Sequence, residues 1–287
     1  MVNNFTNNNE LVCVAYQGVP GAHSENAVHQ YFPASKTLPC HEFKEVFSKV
    51  INNSVNYGLL PIENSLTGSI HQNYDLLLQY PRLKIVGEIT TRIIWCLIGI
   101  PGTKISSIQF VLSHPQGLAQ CEAFLTQFPN WTKVPFFDTA GAVAEIAYEN
   151  NPKKAALAGA SAAKEYKMQI LSKGMETNTE NFTRFVIIAK EDHPAILEPT
   201  KASIVFSTQD HPGSLYEVLK ILAELKLNMK KVESRPILGQ PWEYMFYVDI
   251  EIPANKNDFY LGMEKIRYTV NNYRLLGTYR SKFSDDM

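Results

Sequence analysis

Short apolar runs alternate with helical patterns along the first 190 residues. The first run, at 11–16, leads into a turn rich in Gly and Pro at 17–21. Runs of strand length separated by helical patterns are typical of an α/β fold. We therefore predict an open α/β fold with largely parallel sheets. The other apolar runs lie at 57–62, 85–100, 108–112, 134–137, 155–158 and 184–189.

Three helices are predicted from spacing and capping residues. Ser24 is a favourable N-cap residue, which predicts that a short helix begins there. Asp138 or Thr139 caps another helix in the same way. Four apolar residues at helical spacing predict one amphipathic helix over 116–128: Leu118, Cys121, Leu125 and Phe128.

The chain changes its pattern after residue 190. The segment 191–201 contains two prolines and several charges, which indicates a linker. Beyond it, 202–280 predicts the order βαββαβ, a ferredoxin-like arrangement. Its first helix is entered through Pro212, and a loop is predicted at 236–241. Apolar and acidic residues alternate over 242–252, which predicts a strand with one buried face.

Composition excludes several classes of function. The 287 residues are 45% hydrophobic and 19% charged with a net charge of −1, as in a soluble globular protein. No basic cluster is long enough to follow a phosphate backbone, so we expect no nucleic-acid partner. No apolar run approaches the roughly 20 residues that span a bilayer, so we expect no membrane partner. The Asn-rich segment 1–10 reads as a disordered tail without a secretory signal.

The four cysteines favour a reducing compartment. They are scattered without metal-type pairing, and three of them lie in or beside apolar runs. Free buried thiols in a reducing environment predict a cytoplasmic protein. The seven histidines show no paired metal spacing either, and we expect no metal site.

Candidate chemistry begins with a hydroxyl and a guanidinium on adjacent residues. Thr183 and Arg184 stand at the start of an apolar, β-branched run. Neighbouring side chains of a strand point to opposite faces, so one of the two must face a cleft or a polar partner. Two more polar clusters occur at 61–65 and 113–116. Taken singly, each is equally typical of an ordinary strand end or helix cap.

These motifs, in this order, resemble the signature of prephenate dehydratase, and 202–280 resembles the ACT domain. The resemblance implies a catalytic domain over 11–190 made of two α/β lobes, like a type 2 periplasmic binding protein, with the second lobe at about 89–170. It further implies an active site in the cleft and no cofactor, because loss of CO₂ and water from prephenate creates an aromatic ring. The ACT domain implies a homodimer or homotetramer. The family's usual Gly-Ser-Tyr-Ser turn reads Gly-Ala-His-Ser here, so His23 is a departure, and Gly159 replaces a more usual serine.

The resemblance also implies which residues form the active site. Thr183 is expected at the leaving hydroxyl, and Arg184 either clamps a carboxylate or forms a structural ion pair. Glu63, a catalytic candidate, is expected to hydrogen-bond the backbone or to orient a donor, with a protonated acid as a further alternative. His114 is either an acid or a structural turn residue. The remaining candidates are donors and an apolar wall around the substrate: Asn64, Gln116, Ser65, Ser24 and Phe185.

An effector site for L-phenylalanine is implied in the ACT domain. The first motif usually reads Gly-Ala-Leu, and Ser214 replaces the alanine. Two other functions remain open, an arogenate dehydratase and a non-catalytic amino-acid-binding sensor. The implied effector residues are Gly213, Ser214, Leu215, Glu233, Ser234, Arg235 and Pro236.

Overall fold

The structure, a computed structural model, describes residues 11–194, 198–237 and 239–284. The predicted tail 1–10 and residues 195–197 of the predicted linker lie outside the described residues. The described chain divides into two compact units. One holds the described residues up to Tyr80, Ile89–Ile187 and those from Phe283 onward, and the other holds Pro81–Glu88 and Ile188–Lys282.

The secondary-structure elements fall into three successive groups. The first comprises β1 (Cys13–Gln17), α1 (His23–Tyr31), β2 (Lys36–Cys40), α2 (Phe43–Ile51), β3 (Tyr57–Asn64), β4 (Gly68–Ser69), α3 (His71–Gln79) and β5 (Leu83–Arg92). The second comprises β6 (Cys96–Gly99), a 3-10 helix (Ile105–Ser107), β7 (Phe110–Ser113), α4 (Pro115–Gln120), α5 (Glu122–Leu125), β8 (Thr132–Pro135), α6 (Thr139–Glu149), β9 (Lys154–Ala158), α7 (Ala160–Glu165), β10 (Gln169–Lys173) and β11 (Phe182–Lys190). The third comprises β12 (Lys201–Ser207), α8 (Ser214–Glu224), β13 (Met229–Ile237), β14 (Gln240–Glu251), α9 (Lys256–Thr269), β15 (Asn271–Tyr279) and β16 (Ser281–Ser284).

Two separate sheets form the two α/β lobes. The first sheet has the order β16-β5-β11-β3-β1-β2, with β4 beside β3, and β1 pairs in parallel with β2 and β3. The second has the order β10-β6-β9-β7-β8. Its pairs are half antiparallel, at β10/β6 and β6/β9, so the prediction of largely parallel sheets was wrong for this sheet. The prediction of a two-lobed α/β fold is confirmed.

The single helix predicted over 116–128 is broken at Cys121. The Gln120 carbonyl accepts from the Thr177 backbone N–H at 2.7 Å, and the Ala123 N–H donates to Thr177 Oγ1 at 3.1 Å. Thr177 thereby takes two groups that a continuous helix would pair within itself. The apolar spacing still holds, because Leu118, Cys121 and Leu125 are all buried.

Two of the predicted helix starts differ from the structure. Ser24 lies inside the first turn of α1, whose N-cap is Ala22, because the Glu25 carboxylate accepts the Gly21 N–H instead. Asp138 caps α6 as predicted, by accepting from the Gly141 N–H at 2.7 Å.

The third sheet confirms the predicted βαββαβ arrangement. Its order is β13-β14-β12-β15, and α8 and α9 supply apolar side chains to its core. Pro212 lies before the helix, not in its first turn, and Gly213 at φ +90° is the N-cap of α8. The predicted loop 236–241 was also wrong in extent, since β13 reaches Ile237 and β14 begins at Gln240.

β14 does not have the one buried face that the alternation predicted, since residues 240–244 are exposed and residues 247–250 are buried. A buried ionic cluster surrounds Asp249 of this strand. Lys201 Nζ lies 2.8 Å from a Glu88 oxygen and 3.6 Å from an Asp249 oxygen. Ser203 donates to Asp249, and the Ser203 and Tyr279 hydroxyls are 2.7 Å apart. These partners keep Asp249 buried, although its position in the alternating pattern predicted exposure.

Gly277 of β15 lies against the backbone of β5. A Cβ atom at this position would be 2.0 Å from the Ile85 carbonyl oxygen. Because a backbone atom cannot rotate away, we predict that Gly277→Ala lowers the free energy of unfolding by about 3 kcal/mol or more. Urea unfolding measures this loss, with Thr278→Ala as the neighbouring control. Equal stabilities of the two variants contradict the prediction.

Candidate functional site

Asn64 connects the end of β3 with the start of β11. Its Nδ2 atom donates to Asn181 Oδ1 at 2.8 Å, to the Phe182 carbonyl at 3.0 Å and to Thr183 Oγ1 at 3.0 Å. Asn64, Asn181 and Thr183 are all buried. The predicted convergence of Asn64 and Thr183 is therefore present, although 119 residues separate them along the chain.

The other side of Asn64 organises the loop after β3. Its Oδ1 atom accepts from the Leu66 N–H at 3.0 Å, the Thr67 N–H at 3.1 Å and the Thr67 hydroxyl at 3.2 Å. Gln116 Nε2, from the second lobe, donates to Thr67 Oγ1 at 3.0 Å. The structure therefore brings Gln116 to the same cluster as Asn64 and Thr183.

Ser65 joins the loop after β3 to the start of β11 through hydrogen bonds. Its hydroxyl donates to the Glu180 carbonyl at 2.7 Å and accepts from the Phe182 N–H at 2.9 Å. Backbone groups thus use the hydroxyl hydrogen of Ser65 and one of its two acceptor positions. This hydroxyl is therefore a poor candidate for the predicted substrate contact.

Gln120 and Asn181 belong to this cluster, but the sequence-based site did not include them. Gln120 Oε1 accepts from Trp95 Nε1 at 3.0 Å and from Asn181 Nδ2 at 2.9 Å. A continuous hydrogen-bonded chain therefore links Trp95 through Gln120, Asn181 and Asn64 to Thr183. A signal for Gln120 was available, because it lies four residues after Gln116 and i, i+4 residues share one helix face.

Glu63 and Arg184 form an ion pair with each other. Arg184 Nε and a terminal guanidinium nitrogen lie 3.2 and 3.0 Å from Glu63 Oε2. Their immediate neighbours Asn64 and Thr183 pair with each other, so strand alternation directs the ion pair to the opposite face. Of the two alternatives for Arg184, the structural ion pair is present, and in it Glu63 holds a donor, the Arg184 guanidinium. A carboxylate clamp at Arg184 stays a prediction. Phe185, two residues after Thr183, shares its strand face and is buried.

His114 is a capping residue. Its Nδ1 atom accepts from the Gln116 N–H at 3.2 Å and caps α4. This contact is the structural turn role that was one alternative for His114. It occupies Nδ1 and not Nε2, so the predicted acid role stays a prediction.

The Gly-rich turn and α1 meet the second lobe at Gly159 and Ala162. A Cβ at Gly21 (φ +85°) would lie 2.7 Å from Ala162 Cα, and a Cβ at Gly159 would lie 2.8 Å from His23 Cε1. His23 contacts Trp95 edge-on at a centroid distance of 5.3 Å. Its Nε2 is buried without a hydrogen-bond partner among the described residues, and burial lowers the pKa of His23 to about 4.

The two predicted effector segments share one end of the third sheet. Arg235 is opposite Met245 on β14, and Met245 is opposite Ser207 at the end of β12, from which the chain enters α8. The segments 213–215 and 233–236 are therefore two strands apart at one sheet end.

Within 11–194, 198–237 and 239–284, no group of three or more His, Cys, Asp or Glu residues could hold a metal ion. In the same ranges, no helix has the length and apolar character needed to cross a bilayer.

The sequence profile for prephenate dehydratase matches residues 14–193, and the profile for the ACT domain matches 202–255. The chain belongs to the prephenate dehydratase family. Its relatives include arogenate dehydratase/prephenate dehydratase 2 of Arabidopsis thaliana, 40% identical over 95% of this chain and 74% of that protein. Arogenate dehydratase 2 of Petunia hybrida is 37% identical over 98% of this chain and 74% of its own length.

Two solved structures of similar chains cover most of this prephenate dehydratase family member. One, described as GqqA, a novel type of quorum quenching acylases, is 31% identical with a TM-score of 0.86, covering 94% of this chain and 98% of that one. The other is a prephenate dehydratase of Arthrobacter aurescens in complex with L-Phe. It is 26% identical with a TM-score of 0.83, covering 94% and 90% of the two chains.

The lowered pKa of His23 predicts a pH dependence of stability in this dehydratase-family chain. Between pH 6.5 and about 4, the unfolded imidazole is protonated while the folded one is not, so the unfolded state binds more protons. Stability is therefore lost as the pH falls through this window, by about 2 to 3 kcal/mol at pH 4.5.

Urea unfolding at pH 7 and pH 4.5 measures this contribution, with the His23→Phe variant as reference. The variant lacks the imidazole and is expected to lose correspondingly less stability than the wild type. Equal losses in both proteins contradict the assignment of this titration to His23.

Proposed function

We propose that the chain is a prephenate dehydratase, which removes CO₂ and water from prephenate to give phenylpyruvate. The observation that carries the proposal is the convergence of neutral polar groups from both lobes on Thr183. Asn64 and Gln120 reach it through a shared hydrogen-bonded chain, and Gln116 joins through Thr67. Family membership supports the same reaction class.

The hydrogen bond from Asn64 gives the Thr183 hydroxyl a defined direction. Thr183 Oγ1 accepts from Asn64 Nδ2 at 3.0 Å, so its own proton is free to point toward another acceptor. We assign that acceptor as the ring hydroxyl that leaves prephenate. A threonine hydroxyl is too weak an acid to protonate it alone, so the contribution is hydrogen bonding in the transition state.

The reaction needs orientation more than acid strength. Formation of an aromatic ring drives it, and correct positioning of a bound reactant supplies up to about 7–11 kcal/mol of the barrier. The cluster is suited to this purpose, because Asn64 makes hydrogen bonds at both ends of its amide and is buried. A network of this kind is rigid before substrate arrives.

Arogenate is the second candidate substrate. The relatives that are 36–40% identical over most of this chain carry the name arogenate dehydratase, several of them jointly with prephenate dehydratase. Arogenate differs from prephenate only in bearing an ammonium where prephenate has a keto oxygen. The two substrates therefore present the same leaving groups to Thr183, and kcat/KM on each separates them.

Hydrolysis of an acyl bond, suggested by the name of one structural neighbour, receives less support. A hydroxyl nucleophile needs a general base within hydrogen-bond reach. Among the described residues, the hydrogen-bond partner of Thr183 Oγ1 is the Asn64 amide, which is not a base. A non-catalytic sensor binds the substrate but forms no product, so an assay of product formation distinguishes it from these enzymes.

Replacement of Thr183 tests the central role. Thr183→Val keeps the shape of the side chain and leaves Asn64 Nδ2 with two other acceptors. We expect kcat on prephenate to fall about 100-fold or more, as for the loss of a catalytic hydrogen-bond donor. Formation of phenylpyruvate, followed by absorbance, measures the effect.

The matched variant Thr183→Ser retains the hydroxyl and is expected to keep most of the activity. Thermal unfolding of both variants controls for a loss of folded protein. Turnover by Thr183→Val at the wild-type rate rules out the assigned role.

We further propose that L-phenylalanine inhibits the enzyme by binding at 213–215 and 233–236. The described Arthrobacter aurescens structure is a complex with L-Phe, and the two segments of this chain share one sheet end. Because β13 is an edge strand of the sheet as described, a side-by-side homodimer or homotetramer can complete the site with a second copy. A cytoplasmic location is part of the proposal, although several relatives are named as chloroplastic.

Phenylalanine is expected to lower activity with a coupling of about 1–3 kcal/mol, a 5- to 150-fold change in substrate affinity. We predict that Leu215→Ala raises the phenylalanine concentration needed for half-inhibition at least about tenfold, through lost apolar contact. Leu261→Ala, on the exposed face of α9, is the matched control. Unchanged inhibition of Leu215→Ala contradicts the location of the site.

A further inference from the structure

His23 carries a buried polar atom that the fold leaves unsatisfied. Its Nε2 has no hydrogen-bond partner among the described residues, and the surrounding protein buries it. Buried polar groups are nearly always hydrogen-bonded, so an exception calls for an explanation. One explanation is that the partner is a ligand.

The position of His23 indicates the kind of ligand. It is the first residue of the nine-residue helix α1, where backbone N–H groups lack partners within the helix. The helix dipole favours negative charge at this end. Ser24, the next residue, lies in the same turn and is buried. These features together favour a carboxylate.

The ring is held in place from two sides. Trp95 contacts it edge-on, and the absent side chain of Gly159 leaves the space that the ring edge occupies. The same Trp95 donates its indole N–H to Gln120, which leads through Asn181 and Asn64 to Thr183. His23 therefore lies at the end of the network that orients the proposed catalytic hydroxyl.

We infer that His23 is a substrate-positioning residue that donates a hydrogen bond from Nε2–H to one carboxylate of the substrate at the first turn of α1. The inference rests on the proposed function and deepens it. Prephenate and arogenate carry the same two carboxylates, so His23 serves both substrates equally. The lowered pKa of His23 keeps the imidazole neutral near pH 7, so the contact adds direction without adding charge.

The test uses His23→Phe, which keeps a ring against Trp95 and Gly159 but removes both nitrogens. We expect kcat/KM to fall about tenfold, mainly through KM, and equally for prephenate and arogenate. The same variant is expected to raise Tm by about 2–4 °C, since it removes an unsatisfied buried polar atom. Loss of function together with gained stability is the signature of a functional residue.

Two companion variants sharpen the test. His23→Gln places an amide nitrogen near the former Nε2 position and is expected to recover part of the lost affinity for substrate. His29→Phe makes the same change on the exposed end of the same helix and is expected to leave KM and kcat unchanged. A raised KM in His29→Phe overturns the inference, because the effect then belongs to the helix.

The remaining outcomes separate this inference from the proposed function. If the wild type is active and the His23→Phe variant has an unchanged KM, the role of His23 is overturned and the proposed dehydratase function stands. A fall on one substrate alone also overturns it, because the carboxylates are common to both. A wild type that turns over neither substrate overturns the proposed function and the inference with it.

Discussion

The site depends on one side chain, the amide of Asn64, with both of its ends fully used. The two N–H groups of its nitrogen are shared among three acceptors around the start of β11, and its oxygen accepts from three donors in the loop after β3. The low local dielectric strengthens the hydrogen bonds of a buried amide. It also makes the loss of a partner costly, because a buried polar atom is then left unsatisfied. No other polar side chain type of this size offers donors at one end and acceptors at the other. The position of Thr183 is consequently fixed before any substrate is present.

Strand alternation sends the two residues of each central motif, one on β3 and one on β11, to opposite faces of the sheet. Glu63 and Asn64 are neighbours on β3, and Thr183 and Arg184 are neighbours on β11. Pairing Asn64 with Thr183 on one face places Glu63 with Arg184 on the other. The ion pair ties the two strands together on the face away from the cluster. The charged residues therefore support the geometry of a site whose described polar groups are mostly neutral.

The local sequence pattern predicted most helices and strands correctly. It failed where a residue far along the chain determines the local structure. The βαββαβ order and the cap at Asp138 follow from spacing and residue type, and both were predicted. The break of the helix at Cys121 was not, because Thr177, far along the chain, supplies the competing hydrogen bonds. Asp249 looked like a solvent-facing residue in an alternating strand, and its partners Lys201 and Ser203 on β12 explain its burial. For Gln120 the spacing from Gln116 was a local signal, but its partners Trp95 and Asn181 come from other segments.

The close contact between the two lobes involves two glycines and one histidine. A Cβ at Gly21 would meet the Ala162 backbone, which cannot move aside, so this contact requires glycine. At Gly159 the neighbour is instead the His23 ring, and a side chain there would displace it. The imidazole and the missing side chain are thus complementary in shape, and each departure from the family's usual residue accommodates the other. If the ring had served packing alone, an apolar side chain would have filled the space without a buried, unpaired nitrogen, which argues that the nitrogen has a partner in the working enzyme.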